Sequence, residues 1–140
     1  MQEGFDSPTG CQIKMKNVAI RGKFIPKKPN KYKGKVNRIH YRSMWERRFM
    51  LYCDRSPNIL EWSSEEIHIP YVLDDKHRNY YPDFLVRVKQ KDDKEVTFMI
   101  EIKPSYQRNW SINKSKWAYA RAYCKEHGYK FKVLTEKELF

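Results

Sequence analysis

Asp83, Glu101 and Lys103 are the residues of this 140-residue chain whose types and spacing suit a chemical task. Two carboxylates and an ammonium group on neighbouring strands of a basic protein are what metal-assisted cleavage of a phosphodiester needs. Magnesium binds through one or two carboxylates, keeps several waters and lets phosphate oxygens complete its shell. An ion held by Asp83 and Glu101 would polarise the scissile phosphate and lower the pKa of a bound water. Lys103 would orient that water or neutralise developing charge. Glu46 adds a further carboxylate, directly or through water.

Each of these residues also has a plainer reading. Ser43 and Glu46 have capping-box spacing, in which each side chain satisfies a backbone donor at a helix start. Asp83 could terminate a turn. Glu101 and Lys103 could form a surface cross-strand pair with a marginal contribution to stability.

The elements that must position the set follow from hydrophobic periodicity. Val96–Lys103 alternates, placing Val96, Phe98, Ile100 and Ile102 on one side and Thr97, Met99, Glu101 and Lys103 on the other. Glu101 and Lys103 thus share a face, opposite the row expected to pack on a core. Asp83 opens the preceding apolar run, Phe84–Val88, so a hairpin of the two runs would bring Asp83 near Glu101 at the end of a sheet. Glu66–Val72 is read as a strand with Pro70 at an edge or bulge, Asp74–Arg78 as a polar turn, and Tyr80–Val88 as the next strand. Three such strands joined by charged turns predict an antiparallel meander.

Ser43–Tyr52 predicts a first helix, with Trp45, Phe49 and Tyr52 as an inner aromatic stripe and Pro57 ending the segment. Lys114–His127 predicts a second helix, stopped by Gly128, with Trp117, Ala120 and Cys124 facing inward. A short strand over Phe131–Leu134 and a terminal turn complete an αβββαβ order: a single α/β domain around one mixed sheet. Residues 1–21 are expected to form a flexible tail and residues 22–140 the domain, including a basic arm over 22–38.

Composition points to a polyanion as partner. The net charge is +12, and it is unevenly spread. Residues 1–50 carry 13 Lys/Arg against three acids, residues 51–103 carry eight against 11, and residues 104–140 carry eight against three. Basic flanks around an acidic centre suit a nucleic acid gripped on either side of a cation site. Candidate DNA contacts are Lys27, Lys28, Lys31, Lys33 and Lys35 of the arm, Arg42, Gln107, and the second-helix cations Lys114, Arg121 and Lys125. The arm has two readings: a phosphate-binding segment that orders on DNA, or a surface strap held down by Phe24, Ile25 and Tyr32. Tyr106, Gln107 and Trp110 follow the motif and could touch bases or sugars, with loop packing the plainer reading for Trp110.

The three cysteines, Cys11, Cys53 and Cys124, are odd in number and lack CxxC spacing, which argues against a disulfide framework or structural zinc. The four histidines have no zinc spacing, and no Gly-rich phosphate loop or G-x-S-x-G elbow is present. No apolar stretch approaches membrane-spanning length and no signal peptide is evident, so a cytoplasmic setting without membrane attachment is expected.

The stretch YRSMWERRFMLYCDRSPNILEWSSEEIHIPYVLDDKHRNYYPDFLVRV, then FMIEIKP, with GKFIPKKPNKYKG before it, resembles the head-completion nucleases of T-even-like tailed bacteriophages. That family is similar in turn to the transposon-end endonuclease branch of the PD-(D/E)xK nucleases. The resemblance runs from Gly22 to about Lys132 and leaves the first residues unmatched. It implies a magnesium-dependent DNA endonuclease, with manganese as a substitute, of restriction-endonuclease-like fold. Its acidic cluster falls on Glu46, Asp83 and Glu101, and its lysine on Lys103. It further implies head completion after DNA packaging, in the host cytoplasm or the virion head, with portal or neck proteins as possible partners. The alternative is a non-catalytic structural protein of the head that binds DNA or the portal. RNA or branched DNA as substrate also stays open, because a metal site reads a phosphodiester and not a base.

Overall fold

The computed structural model describes residues 21–139. The tail expected over 1–21 lies outside the described residues but for Arg21, as does Cys11.

A four-stranded mixed sheet organises the domain, in the order β3 (Ile59–Ser64), β6 (Phe84–Lys89), β7 (Glu95–Ile102) and β8 (Lys130–Leu134). β3, β6 and β7 are antiparallel neighbours and β8 runs parallel to β7. The parallel step needs a crossover, and α2 (Ser111–His127) provides it. Gly128 follows α2 at φ +76°, the left-handed stop that glycine adopts without strain.

Both faces of the sheet are covered. On one lies α1 (Met44–Arg55), with Phe49, Met50 and Cys53 packed against Trp62, Phe84, Val86, Ile100 and Ile102. On the other lies α2, whose Trp117, Ala120 and Cys124 stripe packs on Met99 as its spacing predicts. The face of Glu101 is therefore not the open one expected. Met99 is fully buried and Glu101 is only 3% exposed.

The meander departs from expectation at its first strand. Ile59–Ser64, not Glu66–Val72, pairs with β6. The later segment forms β4 (Ile69–Leu73), which pairs with β5 (Lys76–Tyr80) as a separate hairpin inserted between β3 and β6. Asp74 and Asp75, both at positive φ, make its two-residue turn, so the polar stretch is mostly strand. The chain breaks at Tyr81–Asp83 before β6 instead of running through as one strand. Ile69 and Tyr71 pack on the α2 layer, while Pro70 is exposed, as an edge position permits. A short pair, β1 (Gly22–Lys23) with β2 (His40–Tyr41), brackets the arm.

The arm is docked. Phe24, Tyr32 and Ile39 are buried, and the Tyr32 ring meets Trp62 edge-on at 4.7 Å. Burying such rings contributes about 1.5–3 kcal/mol each. Ile25, expected to help hold the arm, is instead 79% exposed. In α1, Tyr52 also leaves the expected stripe and is 54% exposed. Cys53 and Cys124 are buried free thiols in different cores. Among the described residues no helix is long and apolar enough to cross a membrane.

Candidate active site

The register of β6 on β7 sets Phe84 across from Ile100, which brings the preceding residue, Asp83, alongside Glu101. Asp83 extends the pairing with its side chain: Oδ2 accepts the Ile102 N–H at 2.8 Å. β3 ends at the same place, with Ser64 opposite Phe84 and the Glu65 N–H donating to the Asp83 carbonyl at 3.3 Å. Glu101 Oε1 accepts from the Tyr80 hydroxyl at 2.7 Å, and Oε2 lies 3.9 Å from Lys103 Nζ. The Lys103 N–H donates to the Leu134 carbonyl at 3.0 Å, which carries the β7–β8 pairing past the end of β7 and holds the lysine in place.

Glu46 enters from the first turn of α1. Ser43 Oγ accepts the Glu46 N–H at 3.2 Å, and Glu46 Oε1 accepts the Arg42 N–H at 2.9 Å. The reciprocal half of the capping box thus lands one residue before the cap. The Arg42 guanidinium reaches Glu65 Oε1 at 3.0 Å, so it bridges the neighbourhoods of two acids.

Four carboxylates converge in a partly dry space, and their proton affinities record it. Burial pushes the Asp83 carboxyl well above the usual carboxylate range; Glu101 and Glu46 add repulsion, while the Ile102 N–H and Lys103 oppose it. Burial also raises Glu101, restrained by the Tyr80 hydroxyl and the charges of Lys103 and Lys116. Glu46 is raised by burial, with Glu65 and Glu101 adding to it against the Arg42 N–H and charge. Glu65 is raised by burial against Arg42 and His40. Lys116, half-buried on α2 with its Nζ 5.2 Å from the centre of the Tyr80 ring, is lowered by burial against the pull of Glu101.

The residues fit a hard divalent cation. Oδ2 of Asp83 and Oε1 of Glu101 are engaged, which leaves Oδ1 and Oε2 as the oxygens an ion would take. Repulsion within the Asp83, Glu101 and Glu46 group is the energy that such an ion would relieve. Among the described residues no three His, Cys, Asp or Glu side chains form a group that could hold a metal. Two carboxylates suffice for magnesium, and Glu46 acts on that pair through its charge.

The sequence candidates Asp83, Glu101, Lys103 and Glu46 are brought together. Three neighbours were missed: Glu65, Tyr80 and Lys116. Lys116 had a signal, since it stands three residues after the buried Asn113 and four before the buried Ala120, on the edge of the inner stripe.

The candidate DNA contacts divide. Lys114, Arg121 and Lys125 are exposed along α2, with the Arg121 guanidinium 5.4 Å from the Phe131 ring centre. Lys27 and Lys28 have exposed side chains, while their N–H groups bind the buried Asp54 carboxylate at 2.9 and 3.0 Å. Lys33 pairs loosely with Glu61 at 3.8 Å, and the Lys35 N–H donates to Glu66. Gln107 donates to the Tyr106 hydroxyl at 3.1 Å. Two of the candidates are engaged within the fold. Lys31 Nζ is committed to the Asp54 and Ser56 carbonyls at 3.3 and 2.8 Å, where a cation complements the C-terminus of α1. Arg42 is committed to Glu65.

Residues 56–136 match the family described as TnsA-like endonuclease N terminal, a span that takes in Asp83, Glu101 and Lys103. The chain is also 34% identical over 146 aligned residues to the head completion nuclease of Enterobacteria phage T4, covering 87% of this chain and 95% of that protein. The helix-flanked mixed sheet is a single restriction-endonuclease-like domain, with its acidic residues gathered where β3, β6 and β7 meet. The chain belongs to the TnsA-like endonuclease family.

Proposed function

We propose that this protein is a divalent-metal-dependent endonuclease that hydrolyses DNA, acting in completion of a phage head after packaging. The observation that carries the reading is the juxtaposition of Asp83, Glu101 and Lys103 at one sheet end in a chain of an endonuclease family. The head-completion duty rests on the similarity to the phage T4 nuclease of that name.

Asp83 and Glu101 would hold the ion, magnesium or manganese. When bound, such an ion supplies Lewis-acid polarisation of the phosphate and a more acidic water. The remaining chemistry falls to the chain. Ile102 and Tyr80 fix the two carboxylates through their engaged oxygens, so that the free oxygens keep one orientation. Lys103 carries the positive charge beside Glu101, in reach of a phosphate oxygen or of the attacking water. Its role is to neutralise charge that develops as the phosphodiester opens. Glu46 and Glu65 deepen the negative potential that attracts the cation. The basic side chains of α2 and the arm offset repulsion between these acids and the DNA backbone.

Nicking of supercoiled plasmid by wild-type and Asp83→Ala protein, with magnesium, manganese or a chelator, tests the reading. Metal-dependent nicking that disappears in the variant supports it. Undiminished cleavage by Asp83→Ala would remove the site assignment. For the head-completion duty, phage carrying Asp83→Ala should accumulate packaged but non-infectious heads; normal infectivity would exclude it.

A further inference from the structure

The loop leaving the catalytic strand exposes two aromatic rings on a rigid base. Tyr106 is 61% exposed and Trp110 49%, with ring centres 5.9 Å apart and planes crossed at 70°. Exposed large aromatics are costly in water, and among the described residues no element covers them.

The backbone beneath them is nonetheless tied down. Glu136 accepts from both the Ser105 N–H and its hydroxyl. The buried Asn113 donates to the Gln107 carbonyl at 2.9 Å. A short 3-10 turn over Ser105–Gln107 and the Trp110 carbonyl, which accepts the Lys114 N–H at 3.0 Å, join the loop to α2. The rings are thus presented by a pre-formed frame, which lowers the ordering cost of binding a ligand.

Position and charge identify the ligand. Tyr106 follows Lys103 by three residues, so its Cα lies within about 10 Å of that of Lys103. At that distance the rings lie within a few nucleotides of any phosphate that Lys103 contacts. Arg108 between the rings and Lys114 just after them are exposed cations suited to the flanking backbone. Exposed aromatic faces beside a basic track stack bases, and an unpaired base offers its face where one inside a duplex does not.

We propose that Tyr106 and Trp110 form a stacking platform for unpaired bases next to the scissile phosphate. The substrates favoured are DNA with a single-stranded tail, flap or frayed end over a fully paired duplex. This inference rests on the endonuclease reading above and specifies its substrate.

Two measurements test it separately from that reading. The first is tryptophan fluorescence of Asp83→Asn protein in chelator, titrated with short oligothymidylate. Trp110 is the exposed indole of the four tryptophans, since Trp62 and Trp117 are buried and Trp45 half-buried. Quenching is expected, absent in Trp110→Phe; anisotropy of dye-labelled oligothymidylate should show affinity falling roughly tenfold in Trp110→Ala and less in Trp110→Phe. The second is the ratio of wild-type cleavage rates on tailed and blunt duplexes, expected to fall toward one in Tyr106→Ala/Trp110→Ala. A wild type that cuts both alike, with no quenching by oligothymidylate, would overturn the platform while leaving the nuclease intact. A protein that cuts no DNA but still shows Trp110-dependent quenching would remove the nuclease reading and keep the platform.

Discussion

The Asp83 carboxylate occupies a position in the β6–β7 ladder that a backbone carbonyl would otherwise fill, accepting the Ile102 N–H at 2.8 Å. That bond fixes one oxygen of an acid whose proton affinity is raised by burial and by Glu101 and Glu46. The site therefore carries electrostatic strain at neutral pH, of the kind that functional sites hold at the expense of stability.

The strain has a sign that stability measurements can read. Because the folded state raises the Asp83 pKa, it binds more protons than the unfolded state between the ordinary value, near about 3.9, and the raised one. Stability therefore falls as pH rises through that window and stays lower above it. Asp83→Asn removes the charge and keeps an acceptor for Ile102. It should be more stable than wild type at pH about 8, by about 0.5–2 kcal/mol, and this advantage should shrink below pH about 4. Thermal melts at both pH values, without metal, check this. A lower melting temperature for Asp83→Asn at pH about 8 would mean that the carboxylate is stabilised and not strained.

The same protons compete with metal. A ligand carboxylate must be deprotonated to bind, and Asp83, Glu101 and Glu46 are all shifted upward. The magnesium concentration for half-maximal nicking should therefore fall as pH rises from about 6 to about 8. The rise in melting temperature on adding magnesium should grow over the same range. A metal requirement independent of pH would place the ion on groups other than these.

Tyr80 offers a test of how Glu101 is held. Its hydroxyl is the 2.7 Å donor to Oε1, and Lys116 lies over its ring. Tyr80→Phe keeps the ring and drops the donor. Groups that orient metal ligands typically change affinity or activity by 10–100-fold, so the magnesium requirement should rise by about that factor. Stability should fall by about 1.5–3 kcal/mol, the worth of one hydrogen bond to a charged group. Unchanged metal dependence would leave Tyr80 as a packing residue only.

How much of this was legible depended on how local each signal was. Alternation along Val96–Lys103 and the apolar run after Asp83 predicted the hairpin and so the Asp83–Glu101 approach. Spacing alone found Ser43–Glu46 and the α2 stripe. β5 escaped because four of its five residues are polar and exposed, and only Tyr80 is buried, so no alternation marked it. The same burial hid the partner of Glu101. The partners of Lys31 and Arg42 went unseen because they, two carbonyls at the C-terminal end of α1 and Glu65 after β3, lie more than 20 residues away in sequence. Lysines bound to carbonyls and lysines open to phosphate look alike until the chain is folded.

The arm supplies the last prediction. Asp54 is 2% exposed, and its two oxygens accept the Lys27 and Lys28 N–H groups at 2.9 and 3.0 Å. Asp54→Ala leaves those donors without their acceptor and removes two charge-assisted bonds, a loss of about 2–4 kcal/mol. Much of that loss should appear as release of the arm, because Phe24 and Tyr32 are held by the same fold-back against Trp62. Trypsin should then cut after Lys27 and Lys31 much faster than in wild type (Pro29 blocks the bond after Lys28), while α1 and the central sheet remain protected. A segment that orders only on DNA would behave otherwise: Asp54→Ala would leave both the melting temperature and the tryptic pattern of the free protein unchanged. Limited proteolysis with and without duplex DNA separates the two, and the buried Asp54 predicts a docked arm before any DNA arrives.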